Sequence, residues 1–193
     1  MKFKTLAIVV ALAVPAWAAP QDKPSTTDKD TTSKLTDSEQ QEIMHLHHVN
    51  QFEIDMAKMA QTNGTSTVKG VALTIVNDHQ RSDKDITALA KKKNISLTGT
   101  APSASTDADA QEMKDMMADK DRMKTMKGKD FDKEFLAMML AGHTKELARL
   151  ETSLAAAKDP DVVTLFKNTK PVLQKHIDMA RDAQKKVDAQ ASK

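Results

Sequence analysis

The chain has no cysteine and no tyrosine, and its 193 residues include one tryptophan, five phenylalanines and five glycines. Without cysteine there is no disulfide framework, no thiolate nucleophile and no site for a thioether-linked lipid. The one tryptophan, Trp17, lies in the N-terminal segment, so little aromatic surface remains on which nucleic-acid bases could stack. No glycine-rich phosphate loop and no serine in a nucleophile elbow occurs, so no catalytic and no organic-cofactor residue is assigned. No segment alternates apolar and polar residues with a period of two, so no sheet is expected.

The N-terminus reads as an export signal. Lys2 and Lys4 precede an apolar run from Leu6 to Val14, and Ala16-Trp17-Ala18 has the small-x-small form that signal peptidase accepts. We place the signal peptide at 1–18, with cleavage after Ala18 and a periplasmic or otherwise exported product. The apolar run is short of the roughly 20 residues that a membrane-spanning helix needs, so no permanent span is expected in the mature form. Removing Lys2 and Lys4 from the 29 basic residues leaves 27, against 27 acidic ones. With no basic excess, nucleic acid is not an expected partner. Residues 19–35 are almost wholly polar and read as a disordered tether. The segment 36–190 is long enough for one domain with one core.

Helix signals fill that segment. Thr36 and Glu39 form a capping-box pattern that opens a helix running to about Thr62, where Asn63-Gly64 supplies residues that tolerate a left-handed stop. Ser66 is the expected cap of a second helix with an apolar stripe of Val68, Val71, Ala72, Ile75, His79, Ile86 and Leu89, ending near Lys93-Asn94. A polar stretch, Ser96 to Ala104, leads to a short methionine-rich helix from about Ala108 to Met126, broken by Gly128. A third long helix spans about Lys129 to Ala157, with Leu136, Met139, His143, Leu147 and Leu150 on its stripe. Asp159-Pro160 starts a fourth that reaches about Asp188 and is expected to kink at Pro171. Two short turns and one long connection between the second and third long helices predict an all-α, ferritin-like four-helix bundle. Its long crossover contains the short extra helix.

Three of the six histidines, His79, His143 and His176, sit on the inward stripes of three different helices and close to the helix midpoints. Helices of similar length packed side by side bring such positions into one layer, whichever way each runs. On the first helix Glu53 is the inward carboxylate nearest that height, with Asn50 one turn away. Glu53, His79, His143 and His176 are therefore the candidate metal ligands. Asp83 and Glu146, four and three residues beyond His79 and His143, are the candidate carboxylates that orient the rings. Imidazole-rich ligation suits a single Zn, Cu, Ni or Fe ion. The competing interpretation of the same residues is a buried hydrogen-bonded network of His, Glu and Asp that sets helix register.

The stretches Asn50-Gln51-Phe52-Glu53 through Ala60, Val76-Asn77-Asp78-His79, Gly128-Lys129-Asp130-Phe131-Asp132 through Phe135, Gly142-His143 and Pro171 through His176 carry a family resemblance. From about Leu35 to Val187 the chain resembles the bacterial exported family known as domain of unknown function 4142, whose members are often labelled outer membrane proteins. The resemblance implies a ferritin-like bundle and implies no reaction. Di-iron ferritins carry Glu-x-x-His on two helices, whereas here Val76, Leu140 and Leu173 stand three residues before the histidines. A mononuclear site of three imidazoles and one carboxylate is the form that remains.

Two further functions are open at this level. Met113, Met116, Met117, Met123 and Met126 offer thioether sulfur for copper or silver handling, together with the Met44-His45-Leu46-His47-His48 run. The same methionines at helical spacing also suit a core filler, or an adaptable surface for an envelope partner or a second copy of the chain. His45 and His48 are expected in solvent, since three of four successive helical positions cannot all face inward.

Overall fold

The computed structural model describes residues 34–97 and 107–191. Five helices are present and no strand occurs among the described residues: α1 (Asp37–Asn63), α2 (Ser66–Lys92), α3 (Asp107–Met123), α4 (Gly128–Ala156) and α5 (Pro160–Ala191). The signal peptide, nearly all of the tether and most of the Ser96–Ala104 connection lie outside the described residues. Leu35, at the end of the expected tether, is buried in the core.

The helix ends show why the chain turns where it does. At the start of α1 the Glu39 amide donates to Thr36 Oγ1 at 3.2 Å, and the Thr36 amide donates to Glu39 Oε2 at 2.9 Å, which completes the capping box. Glu39 also accepts the Lys158 and Asp159 amides on Oε1, at 2.8 and 2.9 Å, tying the α4–α5 turn to α1. Burial alone would raise its pKa, but these backbone donors hold it below the ordinary carboxylate value. α2 ends in a Schellman turn. Asn94 takes a φ of 57°, its amide donates to Lys91 O, and the Ile95 amide donates to Ala90 O at 2.8 Å.

Two expected caps are corrected. Gly64 is extended (φ −81°, ψ 167°), so its role is space and not a left-handed stop. A Cβ there would lie 2.8 Å from Ala60 O and 3.0 Å from both Asp132 Oδ1 and Val68 Cγ1. Gly64→Ala should therefore cost about 1–3 kcal/mol, the range for overpacking a filled site, read as a lowered urea midpoint. A midpoint equal to wild type would show that the α1–α2 corner yields freely. The cap of α2 comes from Thr65 and a distant side chain instead of Ser66. The wholly buried Asp132 of α4 accepts the Thr65 amide at 3.0 Å and its hydroxyl at 2.5 Å.

Around the bundle, α1 packs against α2 and α4, and α5 packs against α2 and α4, so α2 and α4 lie on the diagonal. One apolar cluster joins the C-terminal half of α1, the N-terminal halves of α2 and α4, and the C-terminal half of α5, with Phe131, Phe135, Met56 and Ile75 at its centre. A second joins the opposite halves, around Ile43, Ile86, Leu150 and Phe166. α2 and α4 consequently run in the same direction, so the end of α2 and the start of α4 lie at opposite ends of the bundle. α5 continues through Pro171 as one helix. Between the two apolar clusters lies a polar layer.

Candidate metal centre

That layer holds Asn50 and Glu53 from α1, His79 from α2, His143 from α4 and His176 from α5, each no more than 5% exposed. The ring centroids lie 5.6 Å apart for His79 and His143, and 5.0 Å apart for the other two pairs. The three residues form a group whose ligand atoms all lie within 4.8 Å of one another, a cluster that could hold a metal. The expected convergence of the three imidazoles at one height is what the structure has.

Each ring is fixed from outside by an oxygen. His79 Nδ1 donates to Asn50 Oδ1 at 2.7 Å, and Asn50 Nδ2 donates onward to Ser82 Oγ at 3.2 Å. His143 Nδ1 donates to the Met139 carbonyl one turn earlier, at 2.9 Å. His176 Nε2 donates to Asp78 Oδ2 at 3.0 Å. All three outer atoms accept, so each neutral ring keeps its one proton on the outer nitrogen and turns a bare lone pair inward. The inward atoms are His79 Nε2, His143 Nε2 and His176 Nδ1. His143 Nε2 stands 3.4 Å from the first and 2.9 Å from the second.

Glu53 Oε2 lies 2.6 Å from His79 Nε2 and 3.1 Å from His143 Nε2, yet it has no partner in hydrogen-bond geometry. With that proton placement, three lone pairs lie within 4.8 Å of one another, and the Glu53 carboxylate oxygen stands against two of them. Such a centre demands positive charge, from an added proton or from a metal ion. Four of the six separations among these atoms, 2.6–3.4 Å, bracket the roughly 3.3 Å edge of a tetrahedron with metal–nitrogen bonds near 2.0 Å.

The ionisation tendencies follow the geometry. Burial alone would raise the Glu53 pKa, but the His143 and His79 rings beside it hold it well below the ordinary range. Burial lowers His143, and the Glu53 carboxylate more than offsets this, so His143 is raised overall. Burial, then the nearby His143 and His79, push His176 down to about 4. Asp78, though half-buried, is held low by Lys175 and His176.

The expected orienting carboxylates are corrected. Asp83 accepts from His47 Nδ1 and Gln51 Nε2, both at 2.7 Å. Glu146 brackets His45 Nε2 at 2.9 and 3.0 Å. Each lies one turn from its histidine as expected, but a short side chain reaches a partner across the helix seam more readily than along its own helix. His79 and His143 are already served by Asn50 and Met139. His45 is accordingly half-buried, as is His48, instead of lying in solvent. Asp78 was missed as an orienting group. The available signal was a carboxylate adjacent to a core histidine, turned by about 100° toward the next helix.

The five methionines divide between environments. Met123 is in the core, Met126 packs at its edge beyond the end of α3, Met113 and Met116 are half-buried, and Met117 is 56% exposed. No helix among the described residues is long and apolar enough to cross a membrane.

No curated protein matches the chain. A crystal structure described as a DUF305 fragment from Deinococcus radiodurans is similar to it, with a TM-score of 0.68 and 18% identity over 79% of this chain and 98% of that one. Likeness at that identity speaks for the shared helical fold. A family profile described as Domain of unknown function (DUF4142) matches residues 24–183, and the chain belongs to that family.

Proposed function

We propose that this protein is an exported, ferritin-like helical bundle that holds one divalent transition-metal ion in its polar layer. The donors are Glu53 Oε2, His79 Nε2, His143 Nε2 and His176 Nδ1. The observation that carries this is the inward convergence of three imidazole nitrogens within 4.8 Å of one another, two of them against a buried carboxylate oxygen that no hydrogen bond satisfies. Zn²⁺ suits the set best, since it accepts four nitrogen and oxygen donors tetrahedrally without a preference imposed by d-electrons. Four protein donors at a fully enclosed centre favour holding the ion over presenting it to a substrate. The ferritin-like assignment is supported by the diagonal placement of α2 and α4 and by their running in the same direction. Export is supported by the Lys2–Ala18 segment.

The second interpretation, a proton-bridged network that fixes helix register, is favoured by the raised pKa of His143 beside Glu53. Calorimetric titration of chelator-treated protein with Zn²⁺ separates the two. The expected result is one saturable site per chain in wild type. His143→Ala should lose more than the 10–100-fold in affinity that removing an outer partner costs. Identical isotherms for the two proteins would leave the network interpretation in place.

A further inference from the structure

The four proposed donors are sealed along the bundle axis. The cluster containing Met139 and Ile75 closes one side, and the cluster containing Ile43, Ile86, Leu150 and Leu173 closes the other. An ion can reach them only from the flank, between helices. The flanks differ. Along α1–α2 the Asn50–Ser82, His47–Asp83 and Gln51–Asp83 bonds bridge the seam. Along α1–α4 His45 is clamped on a Glu146 side chain that is 8% exposed. Along α2–α5 there is a cavity of about 170 Å³, lined by Asp78, Arg81, Ser82, Asp85, Thr169 and Val172 among others. Asp78, at its edge, bonds His176 directly, and its side chain, 15% exposed, is the outer partner most open to solvent. Against it stands the Lys175 ammonium, 2.7 Å from Asp78 Oδ2, on a side chain half exposed to water.

Resting on the metal-binding reading above, we propose that the α2–α5 groove is the access route to the centre and that the Lys175–Asp78 ion pair is its latch. When Lys175 swings into solvent, the Asp78 carboxylate is free to leave His176 Nε2 and meet an arriving cation. The released imidazole can then turn its Nδ1 toward the groove and carry the ion inward. The steps reverse for release. A latch of this kind alters uptake and release together and leaves the equilibrium nearly unchanged.

Co²⁺, followed by its visible absorption in stopped flow, tests this on the full chain, with chelator-driven release as the reverse reaction. Lys175→Ala should speed both uptake and release about fivefold, the factor set by a partly exposed ion pair, with affinity within about twofold of wild type. Val172→Trp, which fills the groove, should slow both. Glu146→Gln, on the opposite flank, should leave both rates as they are. Wild-type rates in Lys175→Ala and Val172→Trp overturn the route, and faster exchange in Glu146→Gln places it at the α1–α4 seam instead. A wild-type protein that gives no saturable absorption at all fails the metal site itself, an outcome distinct from unchanged rates in a protein that binds.

Discussion

Zn²⁺ at a hundredfold excess over its dissociation constant should raise the thermal midpoint of the chelator-treated protein by about 5–10 °C. The donors come from four helices, and Glu53 and His176 stand far apart in the chain. The unfolded protein therefore has no comparable set, and the ion binds the folded state alone. Linkage then adds about 2.7 kcal/mol at that excess, and a protein of this size gains about 2–4 °C per kcal/mol. Glu53→Gln sharpens the test. It keeps the shape of the side chain while removing the only negative charge among the donors, so a bound dication would sit unneutralised in a buried site. The shift should vanish in Glu53→Gln and in His143→Ala, measured by calorimetry or by circular dichroism at 222 nm. Equal shifts in all three proteins would mean that zinc acts elsewhere, for which the half-buried His45, His47 and His48 are the obvious alternative.

Much of the fold could be read from local signals, because each acts within a turn or two of its own residue. The capping box at Thr36 and the Asp159-Pro160 start lie where expected; Asp159 Oδ1 accepts the Asp161 amide at 2.9 Å and the Val162 amide at 3.3 Å. The methionine-rich helix ends three residues early. Apolar spacing continues to Met126, but the backbone has already left the helix, with the Met126 amide turning back to Met123 O. The role of Gly64 escapes local reading because its reason is a neighbour, Asp132, that is 68 positions away in sequence.

The centre was legible to the same depth. His79, His143 and His176 could be placed from their stripes and heights, since a helix fixes both. Which oxygen serves each ring depends on which helices are adjacent, and no periodicity reveals that α2 lies beside α5 with α4 across the diagonal. Asp78 and Asp83 look equivalent on paper, flanking His79 by one residue and by one turn. The seams decide between them: Asp78 faces α5 and meets His176, while Asp83 faces α1 and meets His47.

Acidifying the metal-free protein from pH 6.5 to 4 should cost on the order of 3 kcal/mol of stability, and His176 should be the main cause. Its imidazole is pushed down to about 4 by burial and by the two neighbouring rings, from an ordinary value of 6.5. Between those values the unfolded chain binds a proton at this residue and the folded chain does not, so stability falls as pH falls through that window. His143 acts in the opposite sense. Its raised pKa gives a contribution complete below 6.5 and lost only as pH climbs through its folded value, so it cannot cause the acid loss. Glu53 and Asp78 are lowered carboxylates whose contributions stand above their ordinary values of 4.5 and 3.8 and fade only in stronger acid. Urea unfolding in the presence of chelator at pH 6.5, 5.5 and 4.5 measures the slope, expected near 1.4 kcal/mol per pH unit for one proton. In His176→Asn that slope should flatten. An undiminished slope in that variant would move the acid sensitivity out of the polar layer, and with it the argument that His176 Nδ1 faces the centre as an unprotonated donor.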